Sequence, residues 1–512
     1  MTSRGSPDVV EDRGLVRLAS ARGRWVLAVA VLGEAMTLVE ATVVNVSLPS
    51  LGRDLGVGFA GLQWILDGYV LTLASLILLG GSLGDRYGRR RVLNLGVLVF
   101  LLASTLCAAA PSVGWLIFAR FLQGVGGALL IPATLAIIDA VFHPDDRLRA
   151  IGAWAGFGAI AGAIGPLLGG YLTDAISWRA VFLVNLPIGI LVIAAANRHV
   201  PETRDPTVTG GLDFGGAMLA ALGIGSICFA LIQAAQGPAG APIVAVVVGT
   251  VAFAAFLWVE RHGQHPMLPL EIFSSQQFAS ANLVALLSYA ALGGVMLLFV
   301  AFLQATLGYT ALQAGAATLP ITLVLMALSV PSGALAQRIG PRIPLTLGSF
   351  LTGAGLLLMS RIKVGDAYFT AVMPALLVFG AGLATIITPL TATVLASVDA
   401  RHAGIASGVN NSLSRLGQLL GVAALPLAAG LSGADFQNAA AMANGFPIAM
   451  SVAGAGCFAA ALLSWTTISN DALDQPVAGA KPFAQQRPAS VDLSCAVAGT
   501  PLSPPPSRTP MQ

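Results

Sequence analysis

Four ionisable residues stand where charge is expensive: Glu34, Glu40, Asp67 and Arg120 all lie within long apolar runs of a 512-residue chain. On insertion scales each ionised side chain in a bilayer costs about 2.5–3.5 kcal/mol, so each needs a partner or a cavity. If the runs are helices rising about 1.5 Å per residue, Glu40 lies about 12 Å, Arg120 about 9 Å and Asp67 about 8 Å from the outer ends of their spans. Three charges of both signs therefore share one depth, and the pattern predicts that Arg120 pairs with Glu40 or with Asp67. Glu34 lies nearer the midplane and about 120° round the helix from Glu40, and is the alternative proton carrier. A carboxyl in such a place can hold a proton while exposed on one side and exchange it for a cationic or polarisable molecule while exposed on the other. Arg120 would keep two carboxylates from ionising unpaired. A purely structural ion pair, locking the three spans together, is the other reading. Later in the chain Arg415 is the deep charge, and no carboxylate accompanies it in a span. Coupling is expected mainly in the first part.

The elements that must position these groups follow from composition. Charged residues make up 10% of the chain and hydrophobic residues 56%, with mean hydropathy +0.83. A soluble chain would carry about a quarter charged residues. Apolar stretches of about 20 residues recur almost without interruption, each long enough to cross a hydrocarbon core as a helix. A bilayer leaves no water for unpaired amides, so these stretches should be helices. Breaks at charge, proline and glycine clusters give fourteen spans, beginning near Trp25 and ending near 468. The run from Trp25 is too long for a signal-peptide core and should remain as the first span.

Charge orients the spans. Of the 26 Lys and Arg, Arg53, Arg179, Arg361 and Lys363 fall on the outer side and Arg120 and Arg415 within spans. The rest, among them Arg86, Arg147 and Arg338, fall on the inner side if the N-terminus is cytoplasmic, which satisfies the positive-inside rule. Both termini are expected in the cytoplasm, in a cell membrane (plasma or bacterial inner). Trp25, Trp258 and Trp465 mark inner ends and Trp64, Trp115 and Trp178 outer ends, as interfacial aromatics do. The stretch 469–512 is rich in Pro, Ser and Ala and is expected to be disordered.

A repeat divides the chain. Gly81-Ser-Leu83-Gly-Asp85-Arg86-Tyr-Gly88-Arg89-Arg90 is echoed at a constant offset by Gly333-Ala-Leu335-Ala-Gln337-Arg338-Ile-Gly340-Pro341-Arg342, and Gln123-Gly124-Val-Gly126 by Phe379-Gly380-Ala-Gly382. The expected organisation is a cytoplasmic segment 1–24, a six-helix bundle 25–197, a linker 198–277 carrying two extra spans, a second six-helix bundle 278–468, and the tail 469–512. Duplicated bundles suit alternating access about a central site. In the turn Gly81 to Arg91, glycines permit a tight bend while Asp85 and the arginines can bond helix ends. Gly158, Gly162, Pro166 and Gly170 recur every four residues, which predicts one face packed closely on a neighbouring span.

With these motifs the chain resembles the major facilitator superfamily, and within it the fourteen-span drug/proton antiporter family of multidrug efflux type. Gly81 to Leu93 is similar to the signature between spans 2 and 3. Arg120-Phe-Leu-Gln123-Gly124-Val-Gly126 resembles the fourth-span motif, and Gly165-Pro166-Leu-Leu-Gly169-Gly170 the fifth-span antiporter motif, with Ala161 where its leading glycine is usual. Val39-Glu40-Ala-Thr42-Val-Val-Asn45 resembles the first-span motif, with Glu40 where aspartate is more common. Trp178 to Pro187 and Ala406 to Gly417 are similar to further stretches of that family. The resemblance implies an all-α integral membrane protein of major facilitator fold that exports drugs, antibiotics or similar lipophilic molecules against protons. It also implies a gating latch at Gly81, Asp85, Arg86, Gly88, Arg89 and Arg90, and a hinge or seal at Gly165, Pro166, Gly169 and Gly170.

Other chemistry finds little support in the residues. The histidines 143, 199, 262, 265 and 402 fall between spans, and Cys107, Cys228, Cys457 and Cys495 form no paired motif, so no metal site or cofactor is expected. A net charge of +3 is too small and scattered for nucleic acid. No GxxxxGK[ST] loop, HExxH or serine elbow suggests an enzyme or an ATP-driven pump. Partners are expected to be a small lipophilic or cationic substrate, protons and membrane lipid, with the protein a monomer. A dedicated exporter of one endogenous metabolite, or a membrane sensor that keeps the fold without transport, are the alternatives.

Overall fold

The computed structural model describes residues 15–204, 213–234, 240–263, 268, 270–398, 403–433 and 435–470. The predicted disordered tail lies, beyond 470, outside the described residues, as do Cys495, His265 and His402. Among the described residues the protein is helical, and one bridge between Val16 and Phe142 is the extent of β-pairing.

The helices are α1 (Ala21–Leu55), α2 (Phe59–Tyr87), α3 (Arg89–Ala108), α4 (Val113–Val141), α5 (Pro144–Ala175), α6 (Ala180–Leu183), α7 (Asn185–His199), α8 (Phe214–Ala234), α9 (Gly240–His262), α10 (Gln276–Ala305), α11 (Ala311–Ala317), α12 (Leu319–Ile339), α13 (Arg342–Met359), α14 (Met373–Ala396), α15 (Ala403–Ala428) and α16 (Ala439–Thr467). Among the described residues 13 helices are long and apolar enough to cross a membrane, with α6 and α7 acting as one span and α11 and α12 as another. The remaining expected span is α15, a formed helix of 26 residues. Asn410, Asn411, Ser412, Ser414, Arg415 and Gln418 make it too polar to join that group.

Helix ends follow local chemistry. Ser20 caps α1 by accepting from the Gly23 amide, and Gly56, at φ 62°, closes its far end. Ser112 caps α4 through the Trp115 amide. Thr310 and Gln313 form a reciprocal capping box on α11. The two copies of the repeated turn share one conformation class: Gly88 has φ 112° and Gly340 φ 82°. Both lie where side chains are disfavoured, which is the physical reason glycine recurs.

In the first half α1 packs on α5, α4 and α7, while α2 and α3 pack on α4. From α10 onward, α10 packs on α15 and α16, α13 on α14 and α16, and α12 on α14. The other repeated element explains this closeness. A Cβ at Gly124 would sit 2.4 Å from the Tyr69 carbonyl oxygen of α2, and one at Gly126 2.6 Å from the Phe100 nitrogen of α3. Gly380 approaches Ile321 of α12 and Gly382 the Thr352 nitrogen of α13 in the same way. The inserted pair attaches through α8, which packs against α9 on one side and against α2 and α15 on the other.

The halves meet most tightly at the end that carries Gly56. There the Phe59 amide donates to the Gly433 carbonyl at 2.6 Å. Gln63 donates to the Val422 carbonyl at 2.8 Å and Gln304 to the Val46 carbonyl at 2.9 Å. The Asp174 carboxylate, from the last turn of α5, accepts from the amides of Ala311 and Leu312 at 3.3 and 2.8 Å. Toward the Gly88 end α5 opens: Cβ atoms at Gly152, Gly156 and Gly162 would meet nothing within 4 Å.

The expected glycine face of α5 is corrected by this arrangement. Gly158 faces Leu38 and Glu34 of α1, and Gly162 faces open space. The close approaches belong to Gly165 and Gly169, against Thr42 and Val43 of α1, and to Pro166 and Gly170, against Gly315 and Ala311 of α11. One helix serves two neighbours on two sides, so no single four-residue stripe carries the packing.

Candidate functional site

Arg120 and Glu40 form an ion pair with side chains 1% and 0% exposed. Of the two partners open to Arg120, the structure selects Glu40. The guanidinium also donates from Nε to the Ile65 carbonyl at 2.8 Å and from Nη1 to Gln123 Oε1 at 2.7 Å. Its carbon lies 4.6 Å from the Tyr69 ring centroid, close enough for cation–π attraction. Asn185 donates to the second oxygen of Glu40 at 2.8 Å, and Gln123 donates to Ser104 Oγ at 2.9 Å. Five helices (α1, α2, α3, α4 and α7) are thus tied by one buried network. Burying two charges is tolerable because each has its opposite and its remaining hydrogen bonds. Depth along the helices pointed to the pair; Ser104, a small polar residue inside α3, carried no signal of its own.

Asp67 shares that depth but not that company. Its side chain is fully buried, and neither carboxyl oxygen has a hydrogen-bond partner. It lies within electrostatic reach of Cys228 of α8. Leu71 of α2, Cys228 and Ile232 of α8, and Leu419 and Ala423 of α15 form an apolar cluster beside it, and Trp64 meets Phe229 of α8 at 6.3 Å between ring centroids. Asp67 therefore faces the seam of α2, α8 and α15, away from Arg120.

Glu34 is 8% exposed, and its Oε2 lacks a partner. Arg415 of α15 lies within electrostatic reach of Glu34, of Tyr69 and of Tyr289. No salt bridge closes between Glu34 and Arg415. Among nearby polar side chains, Gln123 is consumed by the Arg120 network. Asn282 accepts from Asn410 at 3.2 Å, and Asn45 donates to its own helix at Ala41.

At the Gly88 end, Asp85 accepts from Arg89 at 2.9 and 3.0 Å within its own turn, and Arg89 reaches the Ala136 carbonyl of α4. Arg86 stands 5.7 Å from the Tyr87 ring centroid. The motif arginines find a partner that sequence reasoning did not single out. Glu202, just beyond α7, accepts from the Arg90 amide at 3.1 Å and forms salt bridges with Arg90 and Arg91. In the second copy Asn470, just beyond α16, accepts from the Arg342 amide at 3.3 Å. Each repeated turn is therefore clamped by an oxygen from the strap that follows the last helix of its half. Gly88→Ala should lower stability by about 1–3 kcal/mol through backbone strain, since its Cβ would also fall 2.5 Å from Glu202 Oε1. Glu202→Gln keeps an acceptor and loses a partly solvated charge, so its effect should stay below about 1 kcal/mol. Melting of the two purified variants checks this order, and a larger loss for Glu202→Gln would contradict it.

Comparison with known proteins bears on the family and the fold. The family model described as Major Facilitator Superfamily matches residues 30–422. Puromycin resistance protein pur8 of Streptomyces alboniger is 35% identical over 464 residues, covering 87% of this chain and 91% of that protein. Multidrug resistance protein Stp of Mycobacterium tuberculosis is 35% identical over 397 residues, covering 77% and 73%. Among solved structures, the peptide transporter POT in complex with sulfate superposes with a TM-score of 0.64 at 15% identity, over 88% of this chain and 95% of that one, a likeness of fold.

Proposed function

Because the chain belongs to the Major Facilitator Superfamily, we propose that it is a proton-coupled exporter of drugs, antibiotics or similar lipophilic molecules. The observation that carries the reading is the asymmetry of contact between the halves, which are clasped at the Gly56 end and parted along α5 toward the Gly88 end. An arrangement closed at one end and open at the other is one of the two states that alternating access requires. Resistance relatives such as pur8 and Stp favour export of drug-like compounds.

In this reading the bundles 25–197 and 278–468 rock about the centre, the linker 198–277 adds α8 and α9, and both termini face the cytoplasm with the Gly88 end. Closure of that end would let Asp85 leave Arg89 for a helix end of the second half. The carboxyls divide by their partners. Glu40 has both oxygens engaged and serves as the fixed counter-charge of Arg120. Glu34 keeps one oxygen unpartnered and Asp67 keeps two, so these two are the groups suited to take up and release a proton. Substrate entering from the Gly88 end would meet Glu34 on the way to the centre.

The test is reconstitution in proteoliposomes with an imposed proton gradient and a panel of cationic dyes and antibiotics. Gradient-dependent movement of several compounds, lost in Glu34→Gln or Asp67→Asn, is the expected result. Movement of a single compound would mark a dedicated exporter. Unaltered gradient dependence in both variants would remove the coupling assignment, and a panel in which nothing moves would favour a non-transporting sensor.

A further inference from the structure

The two arginines that lie within spans, Arg120 buried and Arg415 half-buried, are treated in opposite ways. Arg120 has a carboxylate, a carbonyl and an amide oxygen supplied by the protein. Arg415, in the other half, has no ion pair, and its buried Nε has no acceptor. One turn earlier on the same face, the buried Ser412 Oγ is also without a partner. Across the divide between the halves stands Glu34, with an oxygen that accepts from nothing. Gly158 of α5 packs against Leu38 and the Glu34 stem, while one turn further along α5 Gly162 faces open space. A guanidinium kept in a span, where an ionised group is costly, with no acceptor on its Nε, is suited to an acceptor that arrives from outside.

We propose that Glu34 and Arg415 form a two-pole recognition site, one pole on each half, for amphoteric amphipathic molecules. A carboxylate, phenolate or enolate oxygen of the ligand meets Arg415 with Ser412, and a protonated amine or hydroxyl meets Glu34. Guanidinium recognition of such oxygens is strong because the hydrogen bonds are charge-assisted. A ligand that spans the poles touches both halves at once, so it favours the state in which they approach, as a coupled ligand must. The proposal rests on the transport reading above and narrows its substrate from lipophilic cations to molecules that carry both kinds of group.

Binding by the purified full-length protein, followed by tryptophan fluorescence without any gradient, tests it with three naphthalene probes: 6-(aminomethyl)-2-naphthoic acid, 2-naphthoic acid, and a naphthylmethyl trimethylammonium salt. The wild type should bind the amphoteric probe at least about tenfold more tightly than either other, a difference of one power of ten in Kd. Arg415→Gln should weaken the two carboxylate probes by about tenfold or more and the cation by less than about threefold. Glu34→Gln should do the reverse, sparing 2-naphthoic acid. Arg415→Lys, which keeps the charge and guards against misfolding of the glutamine variant, should retain the preference. Equal weakening of all three probes by Arg415→Gln, or a wild type that prefers the simple cation, would overturn the proposal. Intact selective binding with no gradient-driven movement in liposomes would sink the transport reading instead.

Discussion

Arg120→Ala is expected to abolish gradient-driven export and to destabilise the protein by about 3–5 kcal/mol, the cost of leaving a buried charge without its partner. The substitution strands the Glu40 carboxylate with Asn185 as its remaining donor and removes the acceptors' partner at Ile65 and Gln123. It also empties the space under the Tyr69 ring. Arg120→Lys should recover part of the stability, since an ammonium can hold the charge but cannot serve the three oxygens in the fork that a guanidinium presents. The double variant Glu40→Ala with Arg120→Ala should be more stable than Arg120→Ala alone, because no charge is then left unpaired. Melting measured by size-exclusion recovery, beside transport in liposomes, separates the two roles. Export at the wild-type rate in the double variant would reduce the pair to a structural lock.

Asp67→Asn should behave in the opposite sense: stability held or raised, with proton-driven export reduced by at least about tenfold. Removing the charge at Arg120 breaks a satisfied network, whereas Asp67 has no hydrogen bond to lose. An amide in the same volume lies in the same apolar seam of α2, α8 and α15 without the desolvation cost of a charge. What it cannot do is bind and release a proton. Substrate counterflow, which needs no net proton movement, should therefore persist in the variant while uphill transport fails. Wild-type uphill transport by Asp67→Asn would leave Glu34 as the coupling carboxyl. A large fall in melting temperature would instead show that Asp67 holds a structural contact.

The contrast between these residues explains how much could be read in advance. Hydropathy is decisive for spans, since a bilayer forces each long apolar run to satisfy its own amides, and the breaks at Gly56, Gly88 and Gly340 coincide with helix ends. The repeated turn was legible because a positive φ restricts the residue type. Where polarity competes with hydropathy the signal weakens, as in α15, which forms a helix yet is less apolar than its neighbours. Glu202 could not be singled out because a lone acid in a connecting strap looks like any solvated charge. Its relation to Arg90 exists across a turn and a long stretch of chain.

The sequence by itself determined the all-helical membrane class, the family, the internal repeat and the depth of Glu40, Asp67 and Arg120, because each depends on local composition or on rise along one helix. Only the tertiary structure decided which way each side chain faces. Rotation of α2 turns Asp67 toward the inserted helix α8 while the Ile65 carbonyl, two residues away, serves Arg120. Docking of the second half brings Arg415 opposite Glu34. The physical reason is that rise along a span is set by the backbone alone, whereas azimuth has meaning only relative to a neighbour, and the neighbours are chosen by packing.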